Sequence, residues 1–348
     1  MTAFPSTIAR RSLIAGAGAG LGAGLVSPLM TAQVAKAAPG PQAATQSGGL
    51  WSGEYWAKKG DVSLYLYRKR AGAPQRDARP LPVLFLVHGS SNSARTSFDL
   101  AVPGRGEYSL MNVFASYGFD VWTMDHENYG RSSRTQSNSD VASGVEDLKA
   151  ATEVVLRETG AEKLNFCGVS SGALRAGAFA MVRSDRIGRL VLAAFTYKGE
   201  NSPTLAKRGE QAALYRSNNR RRRDRAMIRS IFTRDGRGAY DPAVAEALAD
   251  EELKFGTEVP TGTYLDMVAN LPLVDPAKVT CPVLLIRGEH DGIATLDDLY
   301  AFYKQLPNGE RHLVELPGVA HSVTYANNRH MFWHVMREFL TLPARLDT

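Results

Sequence analysis

Three observations predict an α/β fold whose mostly parallel sheet is covered by helices on both faces. Short continuous apolar runs such as "LPVLFLVHG" (81–89) end in glycine, as strands buried on both faces do. Amphipathic helical stretches alternate with these runs, and in one long segment, from about 197 to 276, the alternation lapses.

Taken in order, "DVSLYLYRKR" (61–70) alternates apolar and polar residues and reads as an antiparallel strand near a sheet edge. After the strand over 81–89, a short helix around "LMNVFASYG" leads to strand "FDVWTMD" (119–125). The next helix aligns Val141, Val145, Leu148, Thr152 and Val155 on one face, with Ser139 or Asp140 as N-cap and Gly160 as its stop. Strand "KLNFCGV", helix "SGALRAGAFAMVRS" and strands "RLVLAAF", "CPVLLIRG" and "RHLVELPG" follow, and helix "ANNRHMFWHVMREFL" closes the chain. The segment over 197–276 reads as helices and loops inserted between two sheet strands. Such an insertion, a cap or lid, is expected to cover a site.

A 348-residue chain with 44% hydrophobic residues is long enough for one large domain with a substantial core. Residues 1–38 are of another kind. Paired Arg10 and Arg11 precede a mild Gly/Ala/Leu stretch, and Ala35-Lys36-Ala37 fits a small-residue cleavage site. This resembles a twin-arginine export signal, which implies transient use of the twin-arginine machinery and a periplasmic or secreted, already folded product. A stable membrane span is not expected, because five glycines and Pro28 break the apolar run. Residues 39–50 read as a flexible linker, leaving 51–196 and 277–348 as the core and 197–276 as the cap.

The formal charge is +6, and without Arg10, Arg11 and Lys36 it is +3, too mild for a nucleic-acid partner. The glycines at 16, 18, 20, 22 and 24 offer no G-x-G-x-x-G register, so no dinucleotide fingerprint is present. Cys167 and Cys281 are the only cysteines. They border strands expected to be separated by a third, and with strands ~4.8 Å apart both are predicted to be free, buried thiols.

Chemistry is concentrated at the junction "NFCGVSSGALRAG" (165–177). A serine hydroxyl needs a positioned base, a group that fixes the base's tautomer, and donors for the developing oxyanion. Gly168, Ser170 and Gly172 form G-x-S-x-G between a strand and a helix, a turn so tight that the positions flanking the serine two residues away must be small. Choosing Ser171 instead would put Val169 and Ala173 there, so Ser170 is assigned as nucleophile. Of seven histidines, His321 lies on the loop after the last strand, where it can reach the turn from above. Asp291, at the exit of strand "LLIRG", completes the order Ser, Asp, His, with Glu289 as alternative acid. The oxyanion donors are the backbone N–H groups of Ser171, after the nucleophile, and Ser90, after His88-Gly89. Under this division Ser171→Ala should be mild, whereas Ser170→Ala should abolish turnover.

"HGS" at 88–90, "GVSSG" at 168–172, "GEHD" at 288–291 and "GVAHS" at 318–322 resemble the α/β-hydrolase superfamily, and "MDHENYGRSS" (124–133) looks like its loop after the fourth strand. The resemblance runs from about 60 to 342. It implies an eight-stranded sheet, a cap after the sixth strand, no metal and no organic cofactor, with carboxylic ester hydrolysis as the commonest chemistry. A serine at the turn argues against epoxide hydrolases and haloalkane dehalogenases, whose covalent chemistry uses a carboxylate.

The sequence therefore predicts an exported serine esterase acting on a small-molecule ester. Amide or C–C (β-diketone-type) hydrolysis, or perhydrolysis, by the same triad is the alternative, and a non-catalytic binding protein of the same fold is the other. His330 and His334 are spaced like zinc ligands, but Met331 stands where a zinc protease needs glutamate. The run "NNRRRRDRAMIRS" (218–230) reads as a solvated helix face, with an electropositive cap as the functional reading.

Overall fold

The computed structural model describes residues 49–75, 79–235 and 238–343. Residues 1–38, expected to be an export signal, and residues 39–48 of the expected linker lie outside the described residues.

Eight strands form one sheet in the order β1-β2-β4-β3-β5-β6-β9-β10. They are β1 (Leu50–Lys59), β2 (Val62–Ala71), β3 (Val83–Val87), β4 (Asp120–Met124), β5 (Leu164–Val169), β6 (Ile187–Ala193), β9 (Val283–Gly288) and β10 (Arg311–Leu316). A separate two-stranded ribbon pairs β7 (Arg220–Arg222) with β8 (Glu258–Pro260). Strand β2 pairs antiparallel with β1 and β4, and the other pairings of the large sheet are parallel. The expectation of an eight-stranded, mostly parallel sheet holds. Strand β1 went unrecognised in the sequence because "LWSGEYWAKK" alternates partly and exposed residues with a single buried one, Ala57, as an edge strand does. Leu50, the last residue of the expected linker, already belongs to it.

The pleat sorts the core into two layers. Val83, Phe85 and Val87 of β3 face one cluster, built with helices Val141–Thr159, Ser171–Arg183 and Leu296–Tyr303, while Leu84 and Leu86 face another, built with Leu110–Ser116 and Arg329–Leu340. Asp140 caps the helix over 141–159 by accepting from Ser143 N–H, and Gly160 ends it in the left-handed conformation. Cys167 and Cys281 are buried and free. Burial pushes both thiols up, that of Cys281 to about 12.

The connection from β6 to β9 holds helices, among them Pro203–Gly209, Ala212–Ser217, Arg225–Thr233 and Pro242–Glu252, and the β7–β8 ribbon. The arginine run forms a helix only from Arg225 on. Arg220–Arg222 are strand β7, and Asp224 then caps the helix that starts at Arg225. Most aromatics of the connection pack inward: Tyr215 and Tyr264 form a small cluster of their own with Val259, and Phe232 and Tyr240 join the main core.

Candidate active site

Strand β5 runs straight into helix Ser171–Arg183, and the reversal is compressed into Ser170, whose φ of 58° and ψ of −125° place an L-residue in a strained conformation. Its N–H donates to Ala193 O at 2.8 Å, which ties the turn to β6. The two glycines are steric requirements. A Cβ on Gly168 would come within 2.4 Å of Gly172 O, and one on Gly172 within 2.1 Å of Val87 O. The glycine register that selected Ser170 over Ser171 is thus physical.

The structure brings together Ser170, His321 and Asp291, which are far apart in sequence. Ser170 Oγ lies 2.9 Å from His321 Nε2, and His321 Nδ1 lies 2.8 Å from Asp291 Oδ1. Asp291 Oδ1 also accepts from the N–H groups of Ile293 (2.8 Å) and Ala294 (3.0 Å). Burial pushes the Asp291 carboxyl up, but the charge and hydrogen bond of His321 and the two N–H groups outweigh it and hold it below the usual carboxylate range. An ionised Asp291 accepts from Nδ1–H and leaves Nε2 free to take a proton from Ser170. Glu289, the alternative acid, turns elsewhere: its exposed carboxylate accepts from Gly318 N–H at 2.8 Å and so braces the loop that carries His321.

Both expected oxyanion donors border Ser170. The Cα of Gly89 sits so near the turn that a Cβ there would lie 3.4 Å from Ser170 Cβ. Among the described residues, the N–H groups of Ser90 and Ser171 have no acceptor. Their side chains bond to each other, Oγ to Oγ, at 2.7 Å. This link has no signature in the sequence.

Sequence reasoning also missed what holds the Ser90 loop. Tyr129 OH donates to Ser90 O at 2.9 Å and Thr263 Oγ1 donates to Ser90 Oγ at 2.8 Å. Tyr264 OH bonds Ser91 Oγ at 2.7 Å, and Arg223, buried in an ion pair with Glu252, donates to Ser91 O at 3.0 Å. Glu252 accepts from Ser93 N–H and Oγ. Apart from Tyr129, these groups belong to the β6–β9 connection, which also supplies Tyr240, whose hydroxyl accepts from Ser322 N–H at 2.8 Å beside His321. Nothing local in the sequence links such partners, more than a hundred residues away, to a loop after β3.

A narrow cleft opens over Ser170 and His321, walled by Gly89, Phe98 and Val169 from the core and by Arg208, Ile231 and Arg234 from the connection. Among the described residues, none that lines the cleft is acidic. His330 and His334 are exposed on the last helix, and among the described residues no group of three or more His, Cys, Asp or Glu side chains is placed to hold a metal ion. Among the described residues, no helix is long and apolar enough to cross a membrane.

Residues 80–327 match the family Hydrolase_4, described as serine aminopeptidase, S33. No curated protein matches the chain. Solved structures of the same fold include the enol-lactonase from Burkholderia xenovorans LB400, 18% identical over 83% of this chain and 100% of that one, TM-score 0.57. An epoxide hydrolase from Vigna radiata is 16% identical over 83% of this chain and 97% of that one, TM-score 0.60. An E-2-(acetamidomethylene)succinate hydrolase is 18% identical over 84% of this chain and 100% of that one, TM-score 0.60.

Proposed function

The chain belongs to the Hydrolase_4 family of α/β-hydrolases, and from that premise we propose that this hydrolase cleaves carboxylic esters through an acyl-enzyme on Ser170. The observation that carries the reading is the unbroken line from Ser170 Oγ through His321 to Asp291, at 2.9 and 2.8 Å. Ser170 Oγ attacks the acyl carbonyl as His321 Nε2 takes its proton. Asp291 holds the imidazole's tautomer and stabilises the imidazolium. The N–H groups of Ser90 and Ser171 receive the tetrahedral oxyanion, and His321 returns the proton to the leaving alcohol. Water, activated by the same nitrogen, then releases the acid.

The family description raises a second reading, cleavage of an amide next to a free α-amine. An ammonium group would seek a carboxylate, and the cleft lining offers none while presenting Arg208 and Arg234. That favours the ester. Carbon–carbon cleavage and perhydrolysis would use the same parts. Matched ester, anilide and β-diketone substrates decide the matter: the ester should give the highest kcat/KM, and a faster anilide or diketone would overturn the assignment. The segment 197–276 acts as a cap over this site, since it walls one side of the cleft. Residues 1–38 support twin-arginine export to a periplasmic or secreted location. Cell fractionation tests this: replacing Arg10 and Arg11 with lysine should retain the protein in the cytoplasm.

A further inference from the structure

We infer that the preferred substrate is an ester bearing a negative charge away from the scissile bond, and that Arg208, seconded by Arg221, receives that charge. The inference rests on the ester-hydrolase reading and adds the substrate class to it.

The cleft over Ser170 adjoins a second, larger cavity of ≈ 850 Å³, and Ser91, Arg208, Ile231 and Arg234 line both. Arg208 therefore stands at the boundary between the space over the reacting bond and the larger cavity, which Arg221 and exposed Lys207 also line.

The arginines near this boundary fall into two groups. Those of the run noted in the sequence are largely engaged by the protein. Arg220 donates to Ser137 O, Arg223 pairs with buried Glu252, and Arg225 and Arg229 pair with Glu246. Arg234 pairs with Asp235. Arg208 and Arg221 differ: among the described residues neither guanidinium has a carboxylate or hydrogen-bond partner. Both lie against the Tyr264 ring, at 5.5 and 4.7 Å from its centre, and Tyr264 is itself anchored to Ser91 Oγ. An aromatic face holds a guanidinium in place without neutralising it.

In this arrangement no protein carboxylate answers the charge of Arg208 among the described residues. Burial, together with the charge of Arg234, opposes protonation of Arg208 and brings its pKa down to about 10, with Arg221 adding to the repulsion. Among the described residues, Asp235 is the only acidic one lining either cavity, and it is already occupied by Arg234 and by the Thr204 hydroxyl at 3.4 Å. A carboxylate on the substrate would supply the missing countercharge, in the bidentate geometry a planar guanidinium favours.

The test compares p-nitrophenyl esters of ω-carboxy acids of increasing chain length with their methyl-ended counterparts, read as the ratio of kcat/KM, charged over neutral. The wild-type ratio should reach about tenfold or more at the best chain length, and Arg208→Gln should lower it about 10–100-fold, the range for a charged hydrogen bond. Arg208→Lys should restore part of the ratio, Arg221→Gln should lower it less, and added salt should depress it. The neutral ester reports the folded state of each variant, so a misfolded protein does not imitate the result. A wild-type ratio of one or below at every length, or one that Arg208→Gln leaves intact, overturns the inference while the esterase reading survives. If neither ester series is hydrolysed by folded protein, the esterase reading itself fails.

Discussion

Among the described residues two histidines are paired with aspartates, and only one of these pairs also reaches a serine. His321 Nδ1 meets Asp291 Oδ1 at 2.8 Å, and His126 Nδ1 meets Asp147 Oδ2 at 3.0 Å. The difference lies in the second nitrogen. That of His321 reaches Ser170 Oγ at the edge of an open cleft, whereas His126 is wholly buried and its Nε2 has no partner among the described residues. Asp147 is buried beside Lys59 Nζ, 2.5 Å away, and accepts from Glu127 N–H as well. Burial, with the charges of Arg175 and Lys59, pushes the His126 pKa well below its ordinary value. A carboxylate on one nitrogen of a histidine is therefore no mark of catalysis; what the other nitrogen can reach decides.

The largest effect that separates the pairs is on turnover. Ser170→Ala and His321→Ala should each lower kcat by about 10⁴–10⁶-fold, and the double variant should lose little more, because the two act as one unit. Denaturation midpoints should stay near that of the parent. A graded pair of substitutions sharpens the contrast. Asp291→Asn should cost about 10²–10⁴-fold in kcat by favouring the wrong tautomer. Asp147→Asn should spare the activity of the folded fraction but lower stability by about 1–3 kcal/mol, since it weakens the buried bond to His126 and leaves Lys59 paired with Glu127 alone. Denaturant titration followed by initial rates measures both.

Acid should act on the buried pair through its histidine. His88 and His126 are neutral in the fold, their pKa values lowered first by burial, so the unfolded chain binds more protons below its ordinary histidine pKa of about 6.5. Stability should accordingly fall as pH drops below that point. Asp125 opposes this in part, because burial raises its carboxyl to about 6 and the folded state then holds the extra proton between its ordinary range and that value. His126→Gln should flatten the acid-side slope by up to about 1.4 kcal/mol per pH unit. Unfolding titrations at a series of pH values provide the slope.

The smallest effect concerns the donors. Ser171→Ala leaves the backbone N–H in place but removes the Oγ–Oγ bond to Ser90, so kcat should fall about 2–12-fold, the net worth of one hydrogen bond. A larger loss, approaching that of Ser170→Ala, would mean that Ser171 is more than a backbone donor.

How much of this was legible follows from how far each feature reaches along the chain. The turn at Ser170 could be read because its constraint is local: two glycines within two residues exclude every other side chain. Asp291 and His321 could be found because a parallel sheet delivers strand exits to one edge, so order and position stand in for distance. The β6–β9 connection obeys no such periodicity. Its ties to the Ser90 loop, from Thr263, Tyr264 and Arg223, depend on tertiary contacts that leave no pattern, and the start of the arginine run misled because composition alone suggested a helix face. Strand β1, with exposed alternating residues and Lys59 at its end, hid for the reason edge strands do.

Labelling with a fluorophosphonate, followed by mass spectrometry of the modified peptide, tests the triad most directly. One label per folded chain on Ser170, much slower labelling in His321→Ala and none in Ser170→Ala is the predicted result. A label on Ser171, or folded protein that takes none, would contradict it.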